Sequence, residues 1–253
     1  MNRSSFWSNI LSLLSLLLLW EVLAQWQQSQ VLPPPTSILS SLSYEATDGE
    51  LWKHLWATLR RVAICFFVAM LLGGVLGSWM GLNRRINQWL DMWLIVLLNI
   101  PALVTIVLCY LWLGLIEVAA LAAVIINKVP NVAVIFREGV RSFNPRYRDL
   151  SKAYRLSKLD QLRYIWIPQL VPYTMAAARS GLSLIWKIVL VVELLGRSEG
   201  IGFQIHFYFQ LVDVASLMAY SLSFILVVQA LEWFVLQPLE KRARRWQGSA
   251  TTA

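Results

Sequence analysis

Three runs of this chain, 64–80, 94–115 and 182–195, are strongly apolar and nearly long enough to span a lipid bilayer, and the first two carry no charge at all. A hydrocarbon core about 30 Å thick takes about 20 residues of helix. Inside it every backbone N–H and C=O needs a partner within the protein, which a helix supplies along its own length. The composition agrees: 58% of the 253 residues are hydrophobic and 14% are charged, against about 25% charged in soluble domains. The fold class is therefore all-α, a polytopic membrane protein with about six transmembrane helices.

The expected spans are 6–25, 62–81, 89–113, 118–136, 171–195 and 214–236. The run at 6–26 is too long for the apolar region of a signal peptide and lacks a small-residue cleavage site, so it reads as the first span. The positive-inside rule fixes one orientation, with both termini cytoplasmic. Arg84, Arg85, the basic residues from Arg137 to Arg163, and Lys241 to Arg245 then lie inside. Only Lys53, Arg60, Arg61 and Arg197 lie outside. The net charge of +8 thus belongs to cytoplasmic loops and not to a nucleic-acid partner. Cys65 and Cys109 sit in apolar runs without metal spacing and read as packing residues. His54 and His206 have no triad or ligand set around them, so no catalytic residue, metal or cofactor is expected. No phosphate-cradling GxxxxGK[ST] loop occurs, so the chain offers no such site for a nucleotide.

Between spans, prolines 33–35 prevent helix continuation, and the segment 196–210 opens with glycines suited to a re-entrant or surface turn. Gly73, Gly77 and Gly81 form a small-residue ridge that seats either a helix of the same chain or a second copy. The longest inside loop, 137–168, carries apolar residues at Leu150, Ala153, Tyr154, Leu156, Leu159, Leu162, Ile165 and Trp166. Their three- and four-residue spacings predict one broad helical stripe, which lies on anionic lipid or docks a protein.

The segment 149–168 resembles the coupling loop of ABC importer permeases: Glu-Ala-Ala, three residues, Gly, nine residues, Ile-x-Leu-Pro. Ile165, Ile167 and Pro168 fill the last positions, and Asp149 stands for the glutamate. Leu150 and Ser151 replace the alanines, and Arg155 replaces the glycine that marks a turn between two short helices. The likeness runs over 32–239. Residues 31–39, 58–82, 99–103 and 112–117, with Arg179, Trp186, Val192-Glu193 and 200–203, are similar to the nitrate/sulfonate/taurine/bicarbonate branch.

That resemblance implies a type I permease fold in a bacterial inner membrane. It also implies a second copy of the chain, a cytosolic ATPase dimer holding ATP and Mg²⁺, and an extracytoplasmic solute-binding protein. Coupling residues would be Asp149, Ser151, Tyr154, Arg155, Leu156, Leu159, Ile165 and Pro168. The expected division is a first helix with its outer loop (1–57), a core permease domain (58–240) and a basic tail (241–253).

Charges within spans mark pathways or buried pairs. Lys128, Arg179 and Lys187 are three such cations, with Glu193 nearer the outer side and no mid-depth acid expected to neutralise them. A positive path favours an anion, and the resemblance implies one of the nitrate, bicarbonate, sulfonate or taurine class. Arg179 also suits a structural role, and Lys187 could snorkel to headgroups. The same machine importing an aromatic or heterocyclic vitamin precursor is the alternative. An ATP-independent channel or secondary carrier is a further one, although it would not need an apolar stripe on a basic loop.

Overall fold

The computed structural model describes residues 3–27, 29, 31–144, 146–147, 151, 154–239 and 241. Among these, every regular element is a helix. They are α1 (Arg3–Gln27), α2 (Pro35–Thr47), α3 (Leu51–Leu82), α4 (Arg84–Asn99), α5 (Ala102–Leu113), α6 (Glu117–Arg141), α7 (Lys158–Gly196), α8 (Ile201–Gln210) and α9 (Val214–Leu239). α7 and α9 each contain a π-helical turn, Leu162–Trp166 and Glu232–Leu236. By length and composition α3, α6, α7 and α9 can each cross a membrane, and α4 with α5 makes a fifth span if the bent pair counts as one. α1 covers the expected first span.

The expected third span is not straight. α4 and α5 meet at 96°, because Pro101 has no N–H to continue the helix and forces the preceding residue out of helical geometry. Ile100 is accordingly extended (φ −73°, ψ 124°). The proline run at 33–35 also does more than stop a helix. Pro34 is extended and Pro35 is the first residue of α2, a position where proline loses nothing by lacking an N–H.

The chain forms two compact units, 1–58 with 198–229, and 59–197 with 230–253. The segment after α7 groups with the N-terminal helices. Of the basic tail, only Lys241 lies within the described residues.

In the first unit, Glu21 of α1 accepts hydrogen bonds from the Thr36 hydroxyl (2.8 Å) and backbone N–H (3.2 Å), satisfying the start of α2. Elsewhere α1 leaves Leu11, Leu18 and Leu19 exposed, as suits a helix bathed in lipid. α8 begins at Gly200, whose φ of 120° only glycine adopts readily.

The second unit is organised around α6. One face of α6 puts Ala133 against Met80 of α3 and Leu94 of α4. Another puts Val132 and Phe136 against Ala177 of α7. The ridge of Gly73, Gly77 and Gly81 on α3 is what admits α6 so closely. A Cβ at Gly73 would lie 2.6 Å from Val132, one at Gly81 2.7 Å from Val140, and one at Gly77 would run into the Ala133 backbone. Lipid gives helices no hydrophobic reason to associate, so this close van der Waals fit supplies the adhesion.

Candidate functional site

α7 carries the last part of the coupling segment, 158–168, and a candidate membrane span on one helix, so its faces decide what the chain can do. Arg179, Ser180, Ser183 and Lys187 are all exposed. Residues 179, 183 and 187 recur at four-residue intervals and form one stripe along the helix. About 12 Å of rise separates the two cations. Arg179 donates to Glu232 of α9 (3.2 Å). This corrects the expectation that no acid meets the mid-depth cations. Glu232 lies near the end of a mostly apolar run, where its pairing had no local signal.

Lys128 stands at the middle of α6 and is 1% exposed. Its Nζ has no hydrogen-bond partner among the described residues. The stem crosses α7 at Gly181, where an added Cβ would meet Lys128 Cε at 3.2 Å and Phe66 of α3 at 4.0 Å.

Glu193 is fully buried and bonded to Arg61 Nη1 (2.8 Å), so its carboxylate meets an outer arginine and not a mid-span cation. Arg61, 1% exposed, also grips Glu117 with two bonds, Nε at 2.8 Å and Nη2 at 3.0 Å. Arg197 reaches the same Glu117 at 3.0 Å and donates to the Leu115 carbonyl at 2.9 Å. The Tyr110 hydroxyl donates to the Val192 carbonyl (2.7 Å). These contacts tie α3, α5, α6 and α7 together at the end the topology assigns to the outside.

A second polar cluster lies within the first unit. His54 Nδ1 accepts the Gly200 N–H (3.0 Å) and Thr58 Oγ1 accepts the Ile201 N–H (2.8 Å), so two α3 side chains satisfy the start of α8. Gln204 meets His54 Nε2 at 2.6 Å. Glu45 accepts from the Tyr208 and Tyr220 hydroxyls, each at 2.7 Å. Burial and that carboxylate hold the Tyr208 phenol above the usual tyrosine range, so it remains a donor. This cluster escaped sequence reasoning: its members stand up to 175 residues apart and no spacing announces them.

In the coupling segment the expected single stripe is broken. Leu156 N–H returns to the Ser151 carbonyl (3.0 Å), and Arg155 takes φ 50°, the left-handed conformation glycine favours. Ser157 then caps the next turn by accepting the Asp160 N–H (3.2 Å). The turn is therefore made where the family's glycine stands, by an arginine. Asp149 lies outside the described residues. Ser151 is buried, and Tyr154 and Leu159 are 73% and 78% exposed. Leu156 and Ile165 are half-buried, and Pro168 is exposed near the π-helical turn.

Residues 69–236 match the family described as binding-protein-dependent transport system inner membrane component. The chain belongs to this family. The permease is 26% identical to the Escherichia coli taurine transport system permease protein TauC, over 92% of this chain and 87% of the relative. It is 28% identical to the nitrate import permease protein NrtB of Synechocystis sp. over 74% and 71%. To the bicarbonate transport system permease protein CmpB of Synechococcus elongatus it is 27% identical over 76% and 73%. Its fold matches the crystal structure of an amino acid ABC transporter with histidines, with TM-score 0.58 and 18% identity over 84% of this chain and 98% of the other. The permease is an inner-membrane transport component with an ABC transporter fold.

Proposed function

We propose that this permease carries a small anion of the nitrate, bicarbonate or sulfonate class, or the zwitterionic sulfonate taurine, and is driven by a cytosolic ATPase acting on residues 149–168. The observation that carries the reading is the exposed stripe of Arg179, Ser183 and Lys187 in an otherwise apolar span. Ionisable groups at that depth are costly against lipid and face water or another subunit. With Glu232 as counter-charge to Arg179, the stripe keeps an excess of positive charge, which attracts anions. Two relatives are named for anions, nitrate and bicarbonate, and a third for taurine, a zwitterion whose sulfonate end is anionic.

A second copy of the chain facing the stripe would close the path. The ATPase, binding ATP and Mg²⁺, would dock on the exposed Tyr154 and Leu159, and a solute-binding protein would deliver the anion outside. Leu159 and Lys187 lie on the same continuous helix, about 42 Å apart along its axis. A push at one end therefore tilts the stripe at the other. Ligands at the two ends bias the inward- and outward-open states through their different affinities for each.

ATPase activity of the permease reconstituted with its ATPase and binding protein tests the reading. Nitrate, bicarbonate, taurine and an alkanesulfonate are compared with an aromatic heterocycle. Stimulation by one of the anions is expected; a response to the heterocycle alone overturns the electrostatic argument while keeping the machine.

A further inference from the structure

Lys128 is the buried group that the paired charges of the bundle leave unexplained. Arg61 is held by Glu117 and Glu193, and Arg179 by Glu232. Lys187 is exposed. Lys128 is as deeply buried as Arg61, yet its Nζ has neither an ion pair nor a hydrogen bond among the described residues. It lies 11 residues after Glu117, where α6 begins, about 16 Å down the helix axis and so near mid-membrane. A buried ammonium without a partner is strongly unfavourable.

The cover over the amine is close-fitting. A residue larger than glycine at 181 would press on the lysine stem, its Cβ 3.2 Å from Cε and 3.9 Å from Nζ. Gly181 therefore lets α7 lie directly over the ammonium. Two residues on, Pro130 interrupts the hydrogen-bond ladder of α6, leaving the helix able to bend there.

We propose that Lys128 Nζ is the intramembrane anchor for the transported anion, exposed when α7 lifts from α6 at Gly181 and covered again when they close. A monovalent oxyanion or sulfonate would supply the missing acceptor. The inference rests on the anion reading above, but it can fail separately.

The test is thermal unfolding of the purified permease–ATPase complex in chloride-free buffer, titrated with nitrate, bicarbonate and taurine. Uptake of the same three probes into proteoliposomes is followed with the binding protein present. Wild type is expected to gain several degrees of stability from at least one anion. Lys128→Met should lose that gain and raise the KM for uptake at least tenfold. Lys128→Arg should keep part of both. Gly181→Ala, which crowds the amine without removing it, should weaken the stabilisation, and it decides the matter if the Met variant folds poorly. An anion-dependent shift equal in wild type, Lys128→Met and Gly181→Ala overturns the proposal, as does wild-type uptake without any shift. Wild type that transports none of the anions overturns the substrate reading itself. The unfolding shifts still report on Lys128 in that case.

Discussion

Arg155 and Val212 hold φ values of 50° and 58°, a region that costs a residue with a Cβ about 1–2 kcal/mol. Val212 is the more strained because its Cβ is branched. Val212→Gly is expected to raise the unfolding temperature by a degree or two, after glycine's greater unfolded-state entropy offsets part of the gain. Arg155→Gly should do the same to a smaller extent. Scanning fluorimetry of the purified complex checks both, and a fall in either variant would mean that the lost side chain stabilises more than the strain costs. The two positions differed in legibility. Arg155 was marked in advance by standing where a turn-forming glycine belongs. Nothing in the residues around Val212 points to a reversed φ, because valine normally argues for extended chain or helix.

Helices packed face to face depend on the smallest residues between them. Gly77→Leu is expected to separate α3 from α6 and lower the unfolding temperature by several degrees, since the new side chain meets the Ala133 backbone, which cannot yield. An unchanged melt would mean that α6 does not sit in that groove. At the cytoplasmic end of α7, Leu159→Asp places a carboxylate on a 78% exposed apolar residue. It should leave the permease folded but prevent co-purification of the ATPase; intact co-purification would count against docking there. The spans themselves were legible because lipid demands long apolar helices. The elbow between α4 and α5 is hidden in the sequence despite Pro101, because the apolar pattern continues unbroken across it. α2 was hidden for the opposite reason: a proline run reads as a stop, and its last member proved to be a helix start.

Across the whole molecule, charge pairing is the least legible feature, because it joins residues 56 and 132 apart. The candidate stripe on α7 could be found from its depth and spacing. The destination of Glu193, by contrast, required the fold. Glu193→Gln removes one carboxylate from Arg61 and leaves a buried guanidinium partly uncompensated, a loss on the order of 3 kcal/mol. Unfolding of the complex in detergent should show it. Arg61→Met combined with Glu193→Gln should cost less than the two single changes together, because neither partner is then left with an unanswered charge.

That pairing also has a consequence in time. A ribosome adding about 5–20 residues each second makes Glu117 some seconds after Arg61. Glu193, 132 residues downstream of Arg61, follows roughly 7–26 s after it. Until Glu117 is made the arginine has no carboxylate from a later helix, and until Glu193 follows it has only that one, so α3 must wait with its charged end at the membrane surface or within the insertion machinery. Assembly of this bundle is therefore ordered by translation: α3 enters first, and its seat is completed only when α6 and then α7 arrive.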